Sequence, residues 1–101
     1  MPKIQKMETK HFELVEKELI ASFHFPESEV LKSDEQKKTL KRELDRAISL
    51  GNIEHLKVKI YFEDDQSEKV VNTTIWAITD NAILLKKNVV IPIRRIIKLE
   101  I

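Results

Sequence analysis

The chain has one glycine, Gly51, among 101 residues, and no other feature restricts its architecture as much. Loops that cradle phosphates need several glycines, because only a backbone without Cβ comes close enough to the phosphate oxygens. The Walker and dinucleotide-binding fingerprints are therefore excluded, and no cofactor is expected. Tight hairpin turns need residues at positive φ, and Asn or Asp must supply them here. The glycine also marks a change of period: apolar residues recur every three or four positions before it and alternate after it.

Before the glycine, residues 1–9 read as a flexible charged tail. A single domain follows over 10–101, with a helical part at 10–51 and a β part at 56–101. Phe12, Val15, Leu19 and Phe23 define one face of an amphipathic helix, although the stretch "ELIASFHF" also fits a short strand. Pro26 stops any helix here, since the residue before a proline is pushed out of the α region. Ser33, with Gln36 three positions on, has the pattern of an N-cap and capping box for a second helix. Asp34 and Glu35 suit the positive end of its dipole. Leu40, Leu44, Ala47 and Ile48 form its apolar stripe, and Gly51 falls where a left-handed C-cap is expected.

After the glycine, "KVKIYFED" alternates, with Val58, Ile60 and Phe62 on one face and Lys59, Tyr61 and Glu63 on the other. "KVVNTTIWAIT" reads as a second strand. Asp80-Asn81 and Lys87-Asn88 read as two-residue hairpin turns. Odd positions counted back from Ile101 are apolar except Arg95, which would point into the core of an unbroken strand. A short turn at Ile93-Arg94-Arg95 is therefore expected, separating a fourth strand from a fifth, with Pro92 at an edge or bulge. The expected fold class is α+β: one N-terminal helix or two, then a five-stranded antiparallel sheet that curls into a small barrel.

The segments "KVKIYFEDD", "ILLKKNVVIPI" and "RRIIKLEI" resemble, in the order of their elements, the Sm-like and SH3-like small barrels, including the Sm-like inhibitors of Rho-dependent termination. "IRRII" resembles the second Sm motif, in which a basic residue and a glycine precede an isoleucine; Arg95 stands at the glycine position. The acidic and glycine signature of the first Sm motif is absent. The resemblance covers about the last 45 residues and implies a barrel closed by its fifth strand.

Charge bounds the function. Lys and Arg number 18 against 17 Asp and Glu, so the molecule has no bulk attraction for polyanions. Locally, Lys86, Lys87, Arg94, Arg95 and Lys98 form a basic run without an acid. With Tyr61 as a stacking platform, these residues are the candidate contacts for RNA or single-stranded nucleic acid, or for a protein partner. Edge protection explains the same charges with no partner, because cations on terminal strands prevent sheet-to-sheet pairing. Trp76 shares a face with Thr74 and Ile78 and is expected in the core or half-buried.

Catalytic chemistry finds little support. There is no cysteine, and His11, His24 and His55 lack metal-ligand spacing, so no metal is expected. No serine sits in a nucleophile elbow. No run approaches the roughly 18 apolar residues of a membrane helix, and a cytoplasmic protein without membrane contact is expected. The leading expectation is a small non-enzymatic binding or regulatory module that acts through protein–protein contacts. It is expected to form a homo-oligomer through the C-terminal edge strand "IIKLEI". RNA or single-stranded nucleic-acid binding through the basic run is the alternative.

Overall fold

A computed structural model describes residues 12–51 and 57–101; the expected tail lies outside them. The chain is α+β. A short strand β1 (Glu13–Leu14) and a 3-10 segment (Lys17–Ser22) precede one helix, α1 (Asp34–Gly51). Five strands follow: β2 (Lys57–Glu63), β3 (Glu68–Ile78), β4 (Ala82–Leu85), β5 (Val89–Pro92) and β6 (Ile96–Glu100). Single 3-10 turns at Lys86–Asn88 and Ile93–Arg95 join the last three strands.

Helix α1 starts as its capping pattern predicts: the Gln36 N–H donates to Ser33 Oγ at 3.1 Å. Leu40, Leu44 and Ala47 enter the core, while Ile48 stays largely exposed. Gly51 is the last helical residue instead of the residue beyond the helix. The helix expected over 10–23 is absent from its described part. Glu13 and Leu14 instead pair parallel with Lys69 and Val70 of β3, and the Val15 N–H donates to Val70 O at 3.0 Å. Val15 and Ile20 are buried, whereas Leu19 is 52% exposed. The three-and-four spacing was therefore not a helical stripe. The segment satisfies its backbone on the edge that β3 leaves open beside Lys69 and Val70.

The sheet runs β5-β4-β3-β2-β6, with β1 joining β3 outside this path. It is open, which corrects the expected closed barrel and the Sm-like and SH3-like resemblance that implied it. The terminal strands β5 and β6 do not pair with each other. It is also not purely antiparallel, because β1 runs parallel to β3. Two features make closure unnecessary. The Ile93 N–H donates to Asn81 O, so by ladder alternation Val90 and Pro92 direct their backbone groups outward from β5. Pro92 has no N–H, which leaves Val90 as the donor on that side. At the other edge, the outward Leu99 N–H donates to the Glu43 carboxylate of α1 at 3.0 Å.

The core lies between one face of the sheet and a cover made of α1 and the 3-10 segment. Ile60, Phe62, Ile83, Ile91 and Ile96 are fully buried there. Phe23 and Phe25 pack against Phe62, with ring centroids 6.3 and 6.0 Å away.

Scarcity of glycine shows in the turns. At the β3–β4 hairpin Thr79 Oγ1 accepts the N–H groups of Asn81 and Ala82, and the Thr79 N–H donates to Ala82 O, with no positive φ required. At the β4–β5 hairpin both Lys87 (φ 66°) and Asn88 (φ 62°) are left-handed. Asparagine tolerates this conformation, but a lysine does so at a cost of about 1 kcal/mol. Lys87→Gly is therefore expected to stabilise the fold by about 0.5–1 kcal/mol, read as a higher urea midpoint at unchanged m-value.

Candidate functional site

The two arginines of the basic run are turned inward. Arg95 is buried on the Ile93–Arg95 turn. Its Nε donates to Glu63 O at 3.1 Å, and its Nη1 donates to Ser28 O at 2.8 Å and Ser28 Oγ at 3.2 Å. Its Nη2 lies 3.6 Å from the Glu63 carboxylate. Arg94 is half-buried; its Nε donates to Pro26 O at 2.9 Å and its Nη2 to Phe25 O at 3.3 Å. Its carbonyl accepts the Val30 N–H at 2.8 Å. Together they staple the segment 25–30, which has no regular structure of its own, to the end of the sheet.

The lysines do not join them. Lys86 and Lys87 are exposed on the β4–β5 turn, at the opposite end of β5 from the arginines. Four residues of strand separate the turns by about 13 Å. Lys98 lies on the outer face of β6 with its ammonium 4.8 Å from the Tyr61 ring centroid. The Tyr61 hydroxyl donates to Glu100 Oε1 at 2.8 Å, and the Phe12 ring meets Tyr61 edge-on at 4.9 Å. The hydrogen bond to the Glu100 carboxylate, then burial and the charge of Glu100, raise the Tyr61 pKa. Of the six residues singled out by sequence, only Tyr61 and Lys98 touch; Arg94 and Arg95 are neighbours in a structural role. They do not form one patch.

A buried ion pair was not foreseen. Lys69 extends into the core beside Phe23, where its ammonium donates to Asp64 Oδ1 at 2.9 Å and Ser67 Oγ at 2.7 Å. Asp64 Oδ1 also accepts the Gln66 and Ser67 N–H groups, closing the turn between β2 and β3. Burial pushes the Asp64 pKa up, but the Ser67 N–H, the Lys69 ammonium and the Gln66 N–H outweigh it, and the net shift is downward.

The other unforeseen feature is an apolar face. The ladder from β3 to β4 shifts register between Ile75 and Ala77. This bulge turns Trp76 and Ala77 to the same side, so Trp76 does not share a face with Ile78. Trp76 is 57% exposed, against the expectation of burial. Ala77 lies opposite Leu84, Leu84 opposite Val90, and Ala82 opposite Pro92. Among the described residues, the outer face of this wing thus carries Trp76, Ala77, Ala82, Leu84, Val90 and Pro92, with no charged side chain. Alternation of Leu84 against the buried Ile83 and Leu85 was the available signal, but the bulge concealed the share of Trp76.

A cleft of about 510 Å³ separates α1 from the β3–β4 hairpin, floored by Leu40, Leu44, Ile78 and Ile93. On its rim Lys37 donates to Glu29 at 2.8 Å. This hydrogen bond lowers the Glu29 pKa and raises that of Lys37, so each holds the other charged. Among the described residues no group of His, Asp and Glu could hold a metal ion, and no helix is long and apolar enough to cross a membrane. His11 and His55 lie outside the described residues. No protein family, curated protein or solved structure matches this chain.

Three outcomes are expected. Arg95→Ala removes a buried side chain together with its bonds to the Glu63 and Ser28 carbonyls and is expected to cost about 3–5 kcal/mol, whereas Arg94→Ala costs about 1–2 kcal/mol, both read by urea denaturation. The folded pKa of Asp64 is below its unfolded value of about 3.9. Its contribution is therefore complete above that value and is lost as pH falls through the folded pKa. Asp64→Asn is expected to destabilise at neutral pH, with a difference from the parent that narrows as denaturation is repeated below about pH 4.

Proposed function

We propose that this protein is a non-enzymatic binding module that works by protein–protein contact, first of all with a second copy of itself. The contact is the apolar outer face of β3–β4–β5. The observation that carries this reading is the absence of charged side chains among the described residues of that face, in a chain that is 35% charged. The outer face of the neighbouring β2–β6 half, by contrast, bears Lys57, Lys59, Glu63, Lys98 and Glu100. An apolar sheet face rimmed by charge marks an interaction surface.

Charge at the two ends of the face selects the partner. Lys86 and Lys87 flank one end and Asp80 the other. Two copies stacked face to face with strand directions reversed bring the lysines of each over Asp80 of the other. Such a contact is isologous and closes as a dimer, with sheets about 10 Å apart. One tryptophan and five small or medium side chains per copy supply less than the roughly 1,600 Å² of a standard interface. The dimer is accordingly weak, with Kd on the order of tens of micromolar.

Sedimentation velocity tests this directly. The parent is expected to move from monomer to dimer as concentration rises, and Val90→Asp to remain monomeric with an unchanged circular dichroism spectrum. A parent that stays monomeric, or a Val90→Asp variant that dimerises equally, overturns the proposal. So does the nucleic-acid outcome: RNA binding that weakens steeply with salt and is lost in Lys86→Ala/Lys87→Ala would place the function in the basic turn instead.

A further inference from the structure

The outer edge of β6 is an unfinished strand pair. Leu99 directs its N–H and C=O away from β2, and a side-chain carboxylate, Glu43 of α1, stands where the carbonyl of a sixth neighbour would lie, at 3.0 Å. Beside this edge runs a groove of about 600 Å³, walled by Glu35, Gln36, Thr39 and Glu43 of α1 and by Ile97 and Lys98 of β6. Helix α1 thus packs over the core without sealing the strand; among the described residues, Glu43 makes the hydrogen bond that spans the gap.

The sequence of β6 matches itself in reverse. If two copies pair antiparallel about a two-fold axis at Leu99, Leu99 exchanges both hydrogen bonds with its own counterpart. Lys98 then stands opposite Glu100, and Glu100 opposite Lys98, in both directions. Ile97 stands opposite Ile101. Opposite charges in directly facing positions favour a ladder, and like charges oppose it. Lys98 and Glu100 lie on the same outer face already, through their neighbours Tyr61 and Lys59, so pairing requires no change of side.

We propose that β6 is a guarded self-pairing strand: its partner is the β6 of a second copy, and Glu43 is the guard. While the carboxylate holds the Leu99 N–H, the edge is closed. When Glu43 is removed, two copies join edge to edge in the Leu99-centred register. This contact is separate from the apolar face, and it survives loss of that face.

The test is made in the Val90→Asp background, so that stacking of the outer faces does not contribute. Glu43→Ala on this background is expected to tighten self-association about tenfold or more in sedimentation velocity. Glu43→Gln keeps a carbonyl acceptor and is expected to remain monomeric. Adding Lys98→Glu to the Glu43→Ala protein sets carboxylates against each other and is expected to abolish association. Adding Glu100→Lys as well restores opposite charges and is expected to recover it. Amide exchange at Leu99 supplies a second readout: fast at low concentration without Glu43, and slowed as concentration rises. A folded Glu43→Ala protein that stays monomeric at every concentration overturns the proposal. Association that is indifferent to Lys98→Glu, or a Leu99 amide whose exchange ignores concentration, does the same.

Discussion

A buried guanidinium ties the irregular segment ahead of α1 to the end of the sheet. Arg95 reaches back from the turn before β6 to the carbonyl of Glu63 at the end of β2 and to Ser28 in the irregular segment ahead of α1. Burying an arginine costs several kcal/mol, and only a full set of partners repays it. Here Nε, Nη1 and Nη2 all have them. A lysine could not substitute, because the planar fork satisfies acceptors in two directions at once. With Arg94 bonded to Pro26 and Phe25, the turn organises about six residues of chain that form no helix or strand. That segment in turn delivers Phe25 to Phe62 and leads into the capping residue Ser33.

The same economy governs the edges. A five-residue strand such as β6 and a four-residue strand such as β5 present few backbone groups. Each is managed locally: Pro92 removes a donor from β5, and Glu43 occupies one on β6. Closure into a barrel would remove both edges at once, but it requires the strands to tilt and stagger together. In this chain the bulge in β3 bends the ladder instead. β2 pairs with the first seven residues of β3 and β4 with the last few. The result is two wings sharing one long strand.

Most of the element order was legible in the sequence, for physical reasons that can be named. The alternation of Val58, Ile60 and Phe62 fixed β2, the Ser33 cap fixed the start of α1, and the parity conflict at Arg95 located the last turn. That same conflict carried a second meaning that was missed. An arginine at an inward position was read as a reason to turn the chain outward, yet the turn serves to bring the guanidinium in. The segment 12–23 failed for a different reason. Its spacing satisfies a helix as well as a strand followed by a 3-10 turn, and tertiary pairing with Val70 decides between them. The Lys69–Asp64 pair was invisible because a lysine in a β-branched run reads as solvent-facing. Lys69 faces inward because its cross-strand partner is Phe62, and the four-residue turn 64–67 sets Asp64 beside it. The barrel resemblance rested on element order, and order does not determine whether the end strands meet.

The bulge between Ile75 and Ala77 has consequences beyond its own residues. With regular alternation along β3, Trp76 and Ile78 would share a side, and either the tryptophan would enter the core or Ile78 would leave it. The extra residue resolves this by turning Trp76 and Ala77 outward together while Ile78 keeps its place opposite the buried Ile83. Before the bulge, the outward residues of β3 are Glu68, Val70, Asn72 and Thr74, facing a partner strand rich in lysine and glutamate. Beyond it they face Leu84, and through Leu84, Val90. One inserted residue thus separates a solvated surface from an apolar one on a single strand. An apolar face costs a monomer solubility and is retained where a partner covers it. In a chain with a nearly balanced charge and 35% charged residues, every described outward position of this face carries an uncharged side chain. The bulge that conceals the face from sequence periodicity is also what creates it.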